Sequence, residues 1–111
     1  MIDSYTFGSI VIDGKEYNHD VIVYKDKIDS WWREQGHNVT IDDLKKLPGG
    51  IEVFVMGNGA SSCCAFPDES KKYLEKKGIE VIIEDTGMAY KTYNKLVKEG
   101  KNVAGGFHLT C

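Results

Sequence analysis

Short stretches near the start of the chain alternate apolar and polar residues at the period of a β-strand. Ser9 to Ile12 and Lys15 to Tyr17 flank Asp13-Gly14, a dipeptide suited to the positive φ angles of a type I′ turn, so a β-hairpin is predicted there. Val21-Ile22-Val23-Tyr24 reads as a third strand. From Asp29 to Gly36 no period is sustained, and this segment, which carries Trp31, Trp32 and Arg33, is predicted to be irregular or a short helical turn. Thr40 with Asp43 three residues later makes an N-cap signal, and Ile41, Leu44 and Leu47 recur at helical spacing as far as Pro48-Gly49-Gly50.

The pattern changes at Ile51. Ile51 to Met56 is a nearly continuous apolar run of the kind that is covered on both faces, which implies a layered fold. A helix starting at Pro67-Asp68 places Ser70, Tyr73, Leu74 and Lys77 on one face and Lys71, Lys72, Glu75 and Lys76 toward water, and it stops at Gly78. Ile79 to Ile83 follows at once as a strand, completing a stretch of the length of a right-handed parallel βαβ unit. Thr86 is predicted to cap the next helix, in which Ala89, Tyr93, Leu96 and Val97 oppose Lys91, Lys95 and Lys98, with Gly100 as the stop. The last strand runs from Asn102 to about Leu109, with Val103, Phe107 and Leu109 on one face and Ala104, Gly106 and His108 on the other, where the small residues admit a closely packed helix. The order βββα followed by βαβαβ predicts an α/β fold: a mixed central sheet with helices on its faces and the amino-terminal hairpin as a smaller layer.

Composition narrows the function classes. A chain of 111 residues with 41% apolar and 28% charged residues fits one globular domain, residues 1–111. Fourteen basic against seventeen acidic residues give a net charge of -3, the wrong sign for gripping a phosphate backbone, so nucleic acid is not an expected partner. The amino terminus lacks the basic start and apolar stretch of a signal peptide, and the apolar runs fall short of the roughly 20 residues that cross a bilayer. With three cysteines, Cys63, Cys64 and Cys111, and no C-x-x-C, a reduced cytoplasmic setting without membrane insertion is expected. No metal is expected, because no histidine or cysteine stands at ligand spacing from a second ligand. No cofactor is expected either: Gly57-x-Gly59-x-x-Ser62 lacks the third glycine and the immediate helix of a dinucleotide motif, and Gly-Lys-Ser or Gly-Lys-Thr is absent.

Several stretches together carry a family likeness. They are Phe7-Gly8 with Gly14 and Tyr17, Trp32-Arg33 with Gly36-His37, Gly57-x-Gly59, Thr86-x-x-Ala89, Tyr93-Asn94-x-Leu96-Val97, Glu99-Gly100, Val103, and Phe107-His108-x-Thr110-Cys111. In these the chain resembles the Mth938-like family, which includes the adipogenesis-associated Mth938-domain protein and a mitochondrial complex I assembly factor. The resemblance implies a three-layer α/β arrangement around a mixed five-stranded sheet. It also implies a non-enzymatic, protein-interaction or assembly-factor-like role, and it carries no catalytic residue set. The chain departs from its relatives at Asn58 and Cys63-Cys64, so any chemistry of that cysteine pair is private to it.

Two candidate surfaces follow from the residues. The carboxyl ends of parallel strands share one edge, so Gly57, Gly59, Ser61 and Ser62 are expected beside Thr86 and Gly87, with His108 as a further polar group, in a pocket for a small ligand or anion. The bland alternative is that these glycines only shape turns, and Glu84 and Asp85 oppose a phosphate. Trp31, Trp32, Arg33 and His37 are residue types that favour binding hot spots, and they form a candidate surface for a protein partner or a second copy. In the alternative, Trp32 closes the core while Trp31 lies on the surface, and His37 caps or packs. Cys63-Cys64 reads either as a redox pair or, more simply, as small packing residues, since adjacent cysteines bridge only through a strained ring. His108 and Cys111 stand three apart on a strand and face opposite sides, which argues against a base–nucleophile dyad. No coherent catalytic set emerges. An interaction module and a small-ligand binder or enzyme at the edge pocket are the two readings to be weighed.

Overall fold

The amino-terminal hairpin forms, but inside a three-stranded sheet. In the computed structural model, which describes residues 1–24, 27–31, 33 and 38–110, β1 (Ile2–Thr6), β2 (Ser9–Ile12) and β3 (Lys15–Tyr17) pair antiparallel in chain order. Asp13 and Gly14 take φ of 50° and 82°, as a type I′ turn requires. Strand β1 lacks an alternating pattern, because Ile2 is its one fully buried residue. Pairing with β2 and the side chain of Asn94, which accepts from the Ile2 N–H at 3.0 Å and donates to the Ile2 carbonyl at 2.7 Å, hold it in place.

The second sheet is mixed and five-stranded. It is built from β4 (Val21–Tyr24), β5 (Lys27–Ser30), β6 (Val53–Asn58), β7 (Glu80–Glu84) and β8 (Val103–His108) in the order β5-β4-β8-β6-β7. Strands β6, β7 and β8 run parallel, and β4 runs antiparallel to β8 and β5. Strand β5 corrects the prediction of an irregular segment from Asp29: polar residues are tolerated at a sheet edge, and Ile28 alone packs inward. Strands β6 and β8 lie inside the sheet and are buried almost end to end, which for β6 is what its apolar run implied.

Helices complete the layers. Short α1 (Ile41–Leu44) is closed by a capping box between Thr40 and Asp43, α2 (Asp68–Lys76) follows Pro67, and α3 (Thr86–Lys98) is the longest. Alternation along β6 splits the interior in two. Val53 and Val55 face the side of Ala89 and Tyr93 on α3 and of Ile10 and Ile12 in the small sheet, while Phe54 and Met56 face Leu44 of α1 and Leu74 of α2. Val97, expected in the apolar stripe of α3, is 37% exposed, because it lies at the margin of the stripe near the helix end.

Trp31 belongs to the interior. It is buried against Phe54 and stands over Gly106, so the small residues on that face of β8 make room for an indole rather than for a helix. No helix among the described residues is long and apolar enough to cross a membrane.

Candidate functional site at the carboxyl edge of the sheet

Parallel β6 and β7 end at one edge, and the loop after β6 meets the start of α3 there, as the topology predicts. The Gly59 N–H donates to Thr86 Oγ1 at 2.9 Å, the Thr86 N–H donates to the Gly59 carbonyl at 3.1 Å, and the Thr86 hydroxyl donates to the His108 carbonyl at 2.6 Å. One fully buried hydroxyl thus joins β6, α3 and β8. Gly57 is needed for this approach: a Cβ there would stand 2.9 Å from both Thr86 Oγ1 and Phe107 Cδ1. Gly59 takes φ of 107°, a conformation that side chains rarely adopt.

The helix cap is Asp85, not Thr86 as predicted. Asp85 has extended backbone and its carboxylate accepts from the Met88 N–H at 3.1 Å, while Thr86 is already helical and turns its hydroxyl inward. The amino end of α3 therefore carries its own anion, and its first N–H is taken by Gly59. Ser61 and Ser62 are exposed on the loop, Gly87 is half-buried, and Gly57, Gly59 and Thr86 are interior. The predicted set is assembled at one edge, with its members at different depths.

Beside it lies a charged network that the sequence pattern did not reveal. Asp20, just before β4, accepts from Arg33 Nη2 at 2.6 Å and lies 2.7 Å from His108 Nδ1 through the same oxygen, Oδ2. Its other oxygen accepts from the Leu109 N–H at 2.9 Å. Burial pushes the Asp20 carboxyl up, but the hydrogen bonds from His108, Arg33 and Leu109 outweigh that and hold it below the usual value. An ionised carboxylate accepts only, so His108 Nδ1 carries the hydrogen of the shared bond. The guanidinium also lies 4.5 Å over the Trp31 ring.

Of the expected partner surface the structure describes Trp31 and Arg33, and both side chains turn inward. Trp31 is 8% exposed and the Arg33 side chain 4%, because the indole fills the space over Gly106 and the guanidinium is drawn in by Asp20. Trp32, His37 and Cys111 lie outside the described residues. Cys63 is exposed and Cys64 is buried. Among the described residues, no three His, Cys, Asp or Glu side chains are grouped to hold a metal ion.

The exposed apolar groups at this edge come from elsewhere. Phe7, in the turn between β1 and β2, is 68% exposed, and Met88, in the first turn of α3, is 52% exposed. The Gly8 N–H and the Tyr5 hydroxyl both donate to the Leu109 carbonyl at 2.8 Å, which fixes the Phe7 turn to the end of β8. Burial, then the Asp85 and Asp20 charges, push the Tyr5 hydroxyl above its ordinary value. The sequence signal for Phe7 was an aromatic residue before the glycine of a tight turn, where it has no core to enter.

Residues 2–108 match a family model described as a protein of unknown function, DUF498/DUF598. The conserved hypothetical protein PH1505 of Pyrococcus horikoshii is similar at 30% identity and a TM-score of 0.91, over 100% of this chain and 99% of that one. The structure described as MT938 shares 24% identity with a TM-score of 0.81, over 100% of this chain and 98% of that one. A Mth938-like domain protein of Bordetella pertussis shares 19% identity with a TM-score of 0.76, over 97% of this chain and 84% of that one. The last two bear on the fold alone.

Proposed function

The chain belongs to the DUF498/DUF598 family and has the Mth938-like fold, and from that premise we propose that it is a non-enzymatic binding module that receives a protein partner at the carboxyl edge of its sheet. What supports this reading is the exposure of Phe7 and Met88 on two turns that are both anchored to the end of β8. An aromatic ring and a methionine on rigid turns supply contact area with little ordering cost. Trp31 and His108, which are buried, and the inward-turned Arg33 side chain are not part of this contact surface. Such a module suits an assembly-factor-like role, holding one component of a complex by contact.

A photoreactive phenylalanine analogue at position 7, expressed in the native host, tests this. A discrete cross-linked adduct is expected from position 7 and not from exposed position 72 on α2. Equal or no cross-linking from the two positions rejects the surface.

One observation favours a second reading, a small polar ligand at the same edge. Among the described residues the buried Asn58 Oδ1 has no hydrogen-bond partner, and Asn58 is the neighbour of His108 in the β6–β8 register. A buried acceptor left unpaired costs about 1–3 kcal/mol, which a ligand donor would recover. Gly59, Ser61, Ser62 and Gly87 would then border the ligand. Native mass spectrometry of the reduced protein should give an excess mass that the Asn58→Leu variant lacks; a bare mass in both removes this reading.

A further inference from the structure

The two edges of the five-stranded sheet are finished differently. Strand β5 ends one side with Lys27, Asp29 and Ser30 exposed, the usual guard against further pairing. Strand β7 ends the other with three β-branched residues in a row, Val81, Ile82 and Ile83, of which Ile83 is 36% exposed. Among the described residues β7 pairs with β6 alone.

The free hydrogen-bonding groups of this edge can be assigned. The Glu80 N–H donates to the Glu52 carbonyl at 3.0 Å, so the backbone groups of Glu80, Ile82 and Glu84 point toward β6. By alternation, those of Val81 and Ile83 point away from the sheet. An added strand would find two N–H and two C=O groups there, at the spacing of a β-ladder.

Charge decides the occupant. In the antiparallel register that uses the whole strand, a second copy centred on Ile82 would set Glu80 against Glu84 twice. Like charges directly opposite are destabilising, so the strand is guarded against itself. The same two carboxylates favour a strand with basic residues at both ends of an apolar centre. Glu84 is already oriented, since it accepts from the Thr92 hydroxyl at 2.6 Å.

We propose that the open edge of β7 takes up an extended segment of a partner protein in which lysine or arginine flanks three apolar or β-branched residues, by backbone pairing to Val81 and Ile83. This surface is separate from the Phe7 and Met88 turns and does not depend on them. A cross-link from position 7 and strand addition at β7 can therefore succeed or fail independently.

The test is an NMR titration of the full chain with the capped peptide GKVTVKG, and with GEVTVEG as the control. Amide shifts and slowed exchange are expected at Val81 and Ile83 with the lysine peptide and not with the glutamate peptide. Shifts confined to other residues, or none at millimolar peptide, overturn the proposal, as does a dimer of the free chain that protects the same two amides. Ile83→Pro removes an outward N–H while sparing the ladder to β6, and should weaken binding by about three- to tenfold. Should that variant unfold, Glu80→Lys on the exposed end should weaken the lysine peptide by about two- to fivefold and improve the glutamate peptide. Unchanged affinities in Glu80→Lys would also overturn the proposal.

Discussion

The ring of Trp31 occupies the space that a side chain on Gly106 would need: a Cβ there would stand 2.7 Å from Cη2 and 2.8 Å from Cζ3. Trp31 is itself buried and packs edge-to-face against Phe54. Gly106→Ala should therefore destabilise the fold by about 1–3 kcal/mol, the usual cost of overpacking, measured as a lower urea midpoint at unchanged slope. A neutral substitution would mean that the indole is not held against β8.

Asp20 ties three parts of the chain together through two oxygens. Asp20→Ala leaves the Arg33 guanidinium, with a side chain 4% exposed, without this carboxylate, and should cost about 3–5 kcal/mol. The pH dependence follows from the lowered native pKa. Unfolded, the group titrates near 3.8, so its contribution is complete above that value and is lost as pH falls through the lower native one. Below about pH 4 the stability of Asp20→Asn should fall less steeply than that of the parent protein, followed as urea midpoints against pH. Parallel curves would mean that Asp20 is no better stabilised folded than unfolded.

The strands and helices with a core to face were legible because burial imposes a period on them. Strands β2, β4, β6 and β8 and helix α3 appear where alternation or helical spacing placed them. Strands β1 and β5 were not legible: both are edge strands, held by backbone pairing rather than by an apolar face. At the site, topology alone brought Gly59 to Thr86. The contact of Asp20 with His108 spans 88 positions and leaves no local mark, since a turn aspartate before a strand looks the same whether or not it is paired. The burial of Trp31 was not legible either, because no strand or helix period is sustained from Asp29 to Gly36 and so none marks which way its ring turns.

Thr86 supplies a donor and an acceptor where a valine of the same shape supplies neither. Thr86→Val strands the Gly59 N–H and the His108 carbonyl in the interior, and should cost about 1–3 kcal/mol. Thr86→Ser keeps the hydroxyl. Hydrogen exchange at the Gly59 amide separates the two: it should quicken in the valine variant and stay slow in the serine variant. Slow exchange in the valine variant with fast exchange in the serine variant would assign the protection to the methyl group's packing instead.

Asp85 acts on its surroundings both as a cap and as a charge, and two substitutions part these roles. Asp85→Ala removes the acceptor for the Met88 N–H and should cost about 0.5–2 kcal/mol, whereas Asp85→Asn keeps a good capping residue and should cost less. The charge is read at Tyr5, whose hydroxyl is pushed up by burial and then by the Asp85 and Asp20 carboxylates. A raised native value means that the folded chain holds this proton more tightly, so stability is lost as pH rises above the ordinary value of 10.0. In Asp85→Asn the Tyr5 ring, followed by NMR against a Tyr5→Phe reference, should titrate at lower pH than in the parent, and the alkaline loss of stability should shrink with it. An unmoved Tyr5 titration would remove Asp85 from the neighbourhood of that hydroxyl, and with it the link between the Phe7 turn and the first turn of α3.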